Sequence, residues 1–394
     1  MKNNHIPEIR FSGFVDPWKQ YNLGKNGSTY TGLSGKNKDD FGHGEARFIT
    51  YMNVFSNPII EPDMTENVEI DYSQNEVRAG DVFFTTSSET PEEVGMSSVL
   101  TQNLPNTYLN SFCFAYRPRF EFDKYYLAYL LRSKRIRKQM FLLAQGISRY
   151  NISKTKVMEI NVEMPSLKEQ EKIGNFFAEL EKNIVLNKHK YNKLVALKKS
   201  LLDKMFPKDN ENSPEIRVSG FIDSWEQCKV KDICTIGTGE SNTQDQSSDG
   251  LYPFYIRSDV PVRSNKYLYD CEAVITIGDG NIGKVFHYVN GKFDLHQRCY
   301  RMTDFKDIYG KYFYYFFSTK FYDRAMKMTA KATVDSVRLE MISEMDVQKP
   351  KQIEEQKRIS DIFTNLDKLL VLYQSRYNKL IAIKTALLEK MFIS

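Results

Sequence analysis

The sequence has few of the residues that build disulfide frameworks and metal sites. Among 394 residues there are only five cysteines, at positions 113, 228, 234, 271 and 299, and no C-x-x-C pair occurs. The five histidines, at positions 5, 43, 189, 287 and 296, are equally scattered and lack an H-E-x-x-H spacing. An odd number of isolated thiols argues against both a disulfide framework and a zinc site. We therefore expect reduced cysteines, no bound metal and a cytoplasmic location.

Long apolar runs are also missing. No stretch approaches the roughly 18 apolar residues that a membrane helix needs, so we expect no membrane span. The first residues, MKNNHIPEIR, lack the apolar core of a secretion signal. The composition is nevertheless globular, with 41% hydrophobic and 13% aromatic residues. The length allows two or three domains with cores of their own.

Sequence motifs of catalysis are absent, with one apparent exception. There is no G-x-x-x-x-G-K-[ST], no G-x-S-x-G and no [DNS]-P-P-[YFW]. The exception is GDGNIG (278–283), which reads as G-x-G-x-x-G. A dinucleotide loop requires a helix after its glycines, because the helix N-terminus holds the pyrophosphate. Here the strand-like KVFHYVNGKF follows, so we predict a tight connection between antiparallel strands and no cofactor in this chain.

The chain contains a long internal repeat. PEIRFSGFVDPWKQ (7–20) recurs as PEIRVSGFIDSWEQ (214–227), with ten of fourteen positions identical. YNKLVALKKSLLDKMF (191–206) recurs as YNKLIAIKTALLEKMF (377–392). The offset falls from 207 to 186 along the copies, and weaker matches place most of the extra length of the first copy between residues 54 and 80. A period of about 200 residues predicts two pseudo-equivalent domains rather than a solenoid.

The middle of each copy predicts a module of mixed α/β structure, and the fold class predicted for the whole chain is α+β. Short runs rich in β-branched and aromatic residues, such as DVFFTTS and EAVITIG, indicate strands. An aromatic helix is predicted after them in each copy, over 122–145 and 308–330. We predict modules at 1–164 and 209–349, each followed by a long spacer helix, at 165–208 and 350–394.

Both predicted long helices carry an apolar heptad stripe. From Gln170 to Phe206, and in the matching frame of the second copy, apolar residues recur at alternating steps of three and four. The packing positions are Ile173, Phe177, Leu180, Ile184, Tyr191, Leu194 and Leu201, and Ile359, Phe363, Leu366, Leu370, Tyr377, Leu380 and Leu387. Such a stripe needs a partner, and the matching copy is the simplest one. We predict an antiparallel coiled coil that joins and separates the modules; two independent core helices are the alternative.

Positive charge is concentrated on these helices. The net charge of +5 is mild and permits nucleic-acid binding without requiring it. Residues 165–206 carry nine basic and five acidic residues, and residues 350–392 carry eight and five. This excess suits either phosphates or acidic partner surfaces.

The order of these motifs resembles the specificity (S) subunits of type I restriction–modification systems. Each helix starts at a P-x-x-x-E-Q-x-x-I motif, PSLKEQEKI (165–173) and, with one residue added, PKQIEEQKRI (350–359). R-x-S-G-F-x-x-x-W precedes each module, from Arg10 to Trp18 and from Arg217 to Trp225. The helix ends LKKSLLDKMF and IKTALLEKMF complete a resemblance that spans essentially the whole chain.

The resemblance implies a non-catalytic DNA-recognition chain for host defence. Each module would be a target recognition domain that reads one half of a bipartite, asymmetric site in double-stranded DNA. The paired helices would set the spacer and dock two modification subunits, which bind S-adenosylmethionine and methylate adenine. Restriction subunits with translocase and nuclease activity would complete the complex.

Candidate DNA-contacting residues lie on a basic helix and in polar loops that differ between the copies. Basic side chains suit phosphates, and polar loop side chains suit base edges. In the first module the candidates are Ser34, Lys36, Asn37, Lys38, Asn110, Arg132, Lys134, Arg135, Lys138 and Arg149. In the second they are Ser241, Asn242, Thr243, Gln244, Asn281, His296, Gln297, Arg298 and Lys331.

Two other functional classes remain open at this point. A protein scaffold with a coiled-coil docking stalk would show the same repeat without binding DNA. A standalone enzyme would require turnover by the purified chain.

Overall fold

The computed structural model describes residues 6–208, 211–329 and 336–393. They form two compact units. The first contains Met1–Lys188 together with Ser375–Ser394, and the second contains His189–Gln374. Each unit therefore combines one predicted module with parts of both long helices. No described helix is both long enough and apolar enough to cross a membrane.

The first copy is a mixed α/β module followed by a long helix. Its strands are β1 Lys19–Asn22, β2 Gly27–Thr31, β3 Phe41–Ile49, β4 Thr65–Val68, β5 Val82–Thr85, β6 Ser87–Ser88, β7 Ser97–Val99, β8 Thr107–Leu109, β9 Cys113–Pro118, β10 Tyr150–Asn151 and β11 Asn161–Met164. Its helices are α1 Tyr51–Ser56, α2 Lys124–Leu130, α3 Lys134–Leu142, α4 Lys154–Met158 and the long α5 Leu167–Lys204.

The second copy repeats this plan. Its strands are β12 Glu226–Lys229, β13 Thr235–Thr238, β14 Tyr252–Tyr255, β15 Val262–Ser264, β16 Tyr269–Ile277, β17 Phe286–Leu295, β18 Cys299–Thr303 and β19 Asp346–Lys349. Its helices are α6 Val230–Ile233, α7 Gly310–Thr329, α8 Leu339–Ser343 and the long α9 Ile353–Lys390. The predicted α+β class with two repeated modules and two long helices is confirmed.

The sheets of the two modules have the same strand order. The first module has a sheet of order β2-β9-β5-β7, and the second has the corresponding series β13-β18-β16-β17. In the first module β3 runs parallel to β8 and antiparallel to β4. In the second module β14 runs parallel to the end of β17 and antiparallel to β15. The long β17 thus replaces two separate strands of the first copy, β7 and β8.

Strand pairing also refines the match between the copies. Most of the extra length of the first copy lies between β3 and β5, where it forms α1 and the loops flanking β4, as predicted. In β5, Phe83 stands opposite Ala115, and in β16, Ile275 stands opposite Arg301. Phe83 therefore corresponds to Ile275.

The predicted aromatic helix of the first copy is broken in two. It divides into α2 and α3 around Arg132 and Ser133, and Ser133 has extended backbone at the start of α3. In the second copy the helix α7 is continuous from Gly310 to Thr329. The prediction of one helix over 122–145 is therefore wrong for the first module.

The glycine motif connects two antiparallel strands. Strand β16 ends at Ile277, and β17 begins at Phe286 and pairs antiparallel with it. Gly280 and Gly283 have φ values of 82° and 67°, which favour glycine. A Cβ on Gly283 would also lie 2.9 Å from the Cα of Tyr322 on α7. The predicted strand connection is confirmed.

The two cores are built around aromatic side chains at equivalent positions of the two copies. In the first unit the rings of Trp18 and Tyr126 meet edge to face, and Phe177 stacks on Phe392 at 5.7 Å. In the second unit Trp225 and Tyr312 meet in the same way, and Phe363 stacks on Phe206 at 5.8 Å. The module, the start of one long helix and the end of the other therefore share one core in each unit.

Within each unit the two helix segments run antiparallel. In the first unit Phe177 contacts Phe392, and further along α5 Glu181 pairs with Lys384. In the second unit Lys190 lies over Tyr373, and Lys198 pairs with Asp367. In both units, a later position on α5 contacts an earlier position on α9, as in antiparallel helices. The packing positions named from the heptads are buried or partly buried.

An arginine–glutamate pair joins the start of each module to the start of its long helix. Arg10 donates through Nε and Nη2 to both carboxylate oxygens of Glu169, at 2.6 and 2.7 Å. Arg217 donates in the same way to Glu355, at 2.7 and 2.9 Å. Both carboxylates are only 1% exposed. We call each pair the clamp of its unit.

The glutamine after each clamp glutamate caps a module helix. Gln170 accepts from Asp123 N at 3.1 Å and donates to Pro165 O at 2.9 Å. Gln356 accepts from Tyr309 N at 2.8 Å, just before α7, and donates to Pro350 O in turn. The E-Q pair of the sequence motif thus ties the long helix to the module through two different contacts.

In the first unit the segment around Ile9 contacts the end of α9. Ile9 N donates to Lys390 O at 2.9 Å, and Lys390 pairs with Glu8 at 2.6 Å. In the second unit Ile216 N donates to Lys204 O at the same 2.9 Å, within a continuous stretch of chain. The segments around Ile9 and Ile216 therefore meet the ends of α9 and α5 through the same backbone contact.

Breaking a clamp should destabilise its unit strongly. R217A leaves the buried Glu355 carboxylate without its ion-pair partner, which costs on the order of 3 kcal/mol. The free energy of unfolding, measured by urea denaturation, should fall accordingly. K231A is the matched control, because Lys231 and Glu344 form an ion pair that is 51% and 45% exposed, and such pairs contribute little. Equal losses in the two variants would contradict the structural role of the clamp.

Candidate nucleic-acid interface

In each module a glycine lets two predicted loops approach each other closely. A Cβ on Gly32 would lie 2.1 Å from Asn110 O, and a Cβ on Gly239 would lie 2.1 Å from Leu295 O. Ser241 N donates to this same Leu295 O at 3.1 Å. Both predicted loop sets of each module are therefore brought together, at corresponding places in the two copies.

Two candidates in the second module are buried and serve the loop itself. Ser241 is 1% exposed and donates through its hydroxyl to Asp294 Oδ1 at 2.6 Å. His296 is 4% exposed, and its Nδ1 accepts from Arg298 N at 3.1 Å. Burial, followed by the charges of Arg257 and Arg298, lowers the pKa of His296. The predicted base contacts of Ser241 and His296 are corrected to structural roles, because their polar atoms face the protein.

The remaining loop candidates of the second module lie at the surface. Gln297 donates to Asn242 Oδ1 at 2.5 Å and so ties the two loops together. Thr243 lies 3.5 Å from His296 Nε2, and Gln244 is exposed beside it. These side chains keep donors and acceptors available for a partner.

Arg298 belongs to a charged cluster that sequence reasoning found only in part. Its Nη1 donates to Asp279 Oδ2 at 2.7 Å, and Arg257 Nη1 donates to Asp279 Oδ1 at 3.1 Å. Burial alone would raise the pKa of the Asp279 carboxyl, but the bonds from Arg298 and Arg257 hold that pKa below its usual range. Arg257 was missed because it follows β14 and lies outside both predicted loop sets. Asn281 is exposed in the same connection as Asp279.

The corresponding loop of the first module is held by its own polar contacts. Ser34 N donates to Gln74 Oε1 at 3.0 Å, and Lys36 pairs with Asp71 at 2.9 Å. Asn37 Oδ1 accepts from Asp39 N at 2.8 Å and so caps a short 3₁₀ turn. In this loop the side chain of Lys38 is exposed. On the facing loop, Asn110 Oδ1 accepts from Phe112 N at 2.8 Å.

Some of the basic side chains on and just before α3 are hydrogen-bonded within the protein and are not available to a partner. Arg132 donates to the carbonyls of Ser97, Val54 and Asn57 at 2.7, 2.8 and 2.8 Å, and burial lowers its pKa to about 9. Arg132 is therefore a structural residue, which corrects its assignment to DNA. Arg135 donates to the buried Glu163 at 2.8 Å.

The other predicted cations are more accessible. Lys134 is exposed and pairs with Glu389. Lys138 is exposed and has no side-chain partner among the described residues. Arg149 is exposed at a cavity that Tyr51 and Glu93 also line, and it lies 3.4 Å from Ser87 Oγ. Lys331 lies outside the described residues.

No group of three histidine, cysteine or carboxylate side chains is arranged to hold a metal ion within the part of the chain that the structure describes. The five thiols are free, and burial raises the pKa of all five: Cys113, Cys234 and Cys299 are buried, and Cys228 and Cys271 are partly buried.

Comparison with known proteins agrees with this repeated architecture. The family model for the type I restriction modification DNA specificity domain matches twice, over residues 29–196 and 222–381. The crystal structure of the type I restriction–modification S subunit from M. genitalium superimposes with a TM-score of 0.70 at 14% identity, covering 99% of both chains.

A second solved chain comes from a type I R-M system studied for its complex assembly and conformational transition. It matches with a TM-score of 0.51 at 16% identity and covers 95% of this chain and 97% of that one. At these identities the structures show a shared fold, whereas the two family matches span most of the sequence. The chain therefore belongs to the type I restriction–modification DNA specificity family, whose domain it contains twice.

Proposed function

We propose that this chain is the DNA-recognition subunit of a type I restriction–modification complex and that each module reads one half of a bipartite, asymmetric site. One observation carries the proposal: the same backbone frame occurs twice, and the loops anchored at Gly32 and Gly239 present different exposed side chains. A common frame with different readers suits an asymmetric site with two half-sites.

The exposed polar side chains of these loops are the proposed base readers. In the first module they are Lys38 and the loop around Asn110, and in the second they are Asn242, Thr243, Gln244, Gln297 and Arg298. Exposed lysines such as Lys138 suit phosphates, which position a protein on DNA without specifying sequence. The buried Ser241 and His296 support the loops of the second module, and Arg132 holds the chain at Val54, Asn57 and Ser97.

The long helices are the proposed spacer and docking surface. Each carries an excess of positive charge and leaves apolar side chains such as Val185, Leu186, Val371 and Leu372 exposed beyond the packed stripe. We propose that two modification subunits, which bind S-adenosylmethionine, dock there and supply adenine methylation, and that restriction subunits join them. In this proposal the chain itself contributes recognition and no catalysis.

Cells that express the chain with its modification subunits should carry one bipartite methylated adenine motif, because recognition directs the methyltransferase. Sequencing of methylated bases in genomic DNA measures it. The control expresses the modification subunits with R217A, which we expect to fold poorly and to lose the motif. A scaffold that binds only protein predicts no difference between cells with and without the chain, and that result would refute the proposal.

Replacing residues 238–244 with residues 31–37 should change only the half of the motif that the second module reads. The replacement keeps a glycine at the close contact with Leu295 and exchanges the exposed side chains. The methylated motif of the variant should retain the other half unaltered. The matched control replaces the exposed Lys284 of the same module with alanine and should leave both halves intact. A change in both halves would contradict independent reading by the two modules.

A further inference from the structure

We propose that Arg298, held in place by Asp279, reads a guanine in the half-site of the second module. The inference rests on the proposed function and assigns one base of the target to one side chain. It depends on four features: the free donors of Arg298, the hydrogen-bonded backbone that carries it, the donors and acceptor of its charged cluster, and the residue at the corresponding position of the first module.

Arg298 is both anchored and available. Its Nη1 donates to Asp279 Oδ2 at 2.7 Å, while its side chain remains 60% exposed. A guanidinium has five N–H donors in a fixed plane, and no other acceptor for them is found among the described residues. The Asp279 carboxylate thus orients the planar guanidinium and leaves its remaining N–H donors accessible to a partner.

The backbone around Arg298 is held on both sides. Gly278 N donates to Arg298 O at 2.7 Å, and Arg298 N donates to His296 Nδ1 at 3.1 Å. Cys299 N then closes the turn onto His296 O at 2.9 Å. A side chain used for direct readout needs such support, because a loosely held arginine would lose its orientation.

The chemistry of the cluster fits a base pair better than a phosphate. Guanine presents two acceptors, N7 and O6, to a guanidinium in the major groove, and its cytosine partner presents an amino donor. Arg298 and Arg257 supply donors, and Asp279 supplies an acceptor, which matches this pattern. A phosphate carries acceptors only and would leave the Asp279 acceptor unmatched. The Asp279 carboxylate, whose pKa the two arginines hold below its usual range, would also offset part of their attraction for a phosphate.

The first module has a different residue at the same place. Thr86 N donates to Phe112 O at 3.0 Å, as Gly278 N donates to Arg298 O. The turn also closes in the same way, because Cys113 N donates to Asn110 O at 3.1 Å. Phe112 is 56% exposed, so one backbone position presents an apolar ring in one module and a guanidinium in the other. A position with constant backbone and divergent exposed side chains is suited to specificity.

The experiment compares methylated motifs in cells that express the chain with its modification subunits. R298A should lose the requirement for one guanine in the second half-site, with discrimination at that position falling about tenfold or more. R298K keeps the positive charge but lacks the planar N–H donors of the guanidinium, so it should weaken the guanine requirement at the same position. D279N should relax it partly, because it weakens the anchor. The first half-site should be retained in all three variants, which also shows that they fold and assemble.

R263A is the matched control, since Arg263 is an exposed arginine on β15 of the same module and the loss of charge is the same. The control should keep every base requirement. If R298A and R263A slow methylation alike without relaxing any base, Arg298 contacts phosphate only, and the proposal is overturned. A wild-type second half-site without any G·C base pair, identified by the 238–244 replacement, would also overturn it. The absence of any bipartite motif in the wild type would instead refute the proposed function.

Discussion

The bidentate pair between an arginine before each module and a glutamate at the start of each long helix is the contact on which the architecture depends. Arg10 and Glu169 lie 159 residues apart in the chain, and Arg217 and Glu355 lie 138 residues apart. Because each carboxylate is buried, removal of its arginine would leave an uncompensated charge. The clamp therefore fixes the segment before the module to the start of the long helix that follows the module. The glutamine next to the clamp glutamate also joins the long helix to the module helix that it caps.

A fixed frame of this kind allows the loops at the surface to diverge. The glycine contacts at Gly32 and Gly239 set the backbone path of the loops, and buried polar groups such as Ser241 and Asp294 hold it in the second copy. The exposed side chains then carry little of the stability, since surface substitutions cost little when they break no cap, core or network. Divergence at Phe112 and Arg298 is therefore compatible with an unchanged fold.

The features that could be predicted from the sequence are those written as periodic or repeated patterns. The two copies, the heptad stripes and the strands around the glycine motif depend on residue spacing, which can be read from the sequence alone. The role of Arg132 could not be predicted, because its carbonyl partners at Val54 and Asn57 lie more than 70 residues away and carry no side-chain pattern. Arg257 was missed because its partner, the Asp279 side chain, lies 22 residues further along the chain and only folding brings the two together.

The polar positions within the apolar stripes carry further information. Lys198 and Lys384 occupy matching places, and each pairs with a carboxylate of the other helix, Asp367 and Glu181 respectively. Each lysine also lies over a tyrosine of the module in its own unit. A shift of the helices would place a lysine among apolar side chains and leave its carboxylate unpaired. A polar residue in a coiled-coil stripe fixes register at some cost in stability, so each unit sets its helix register through its own lysine.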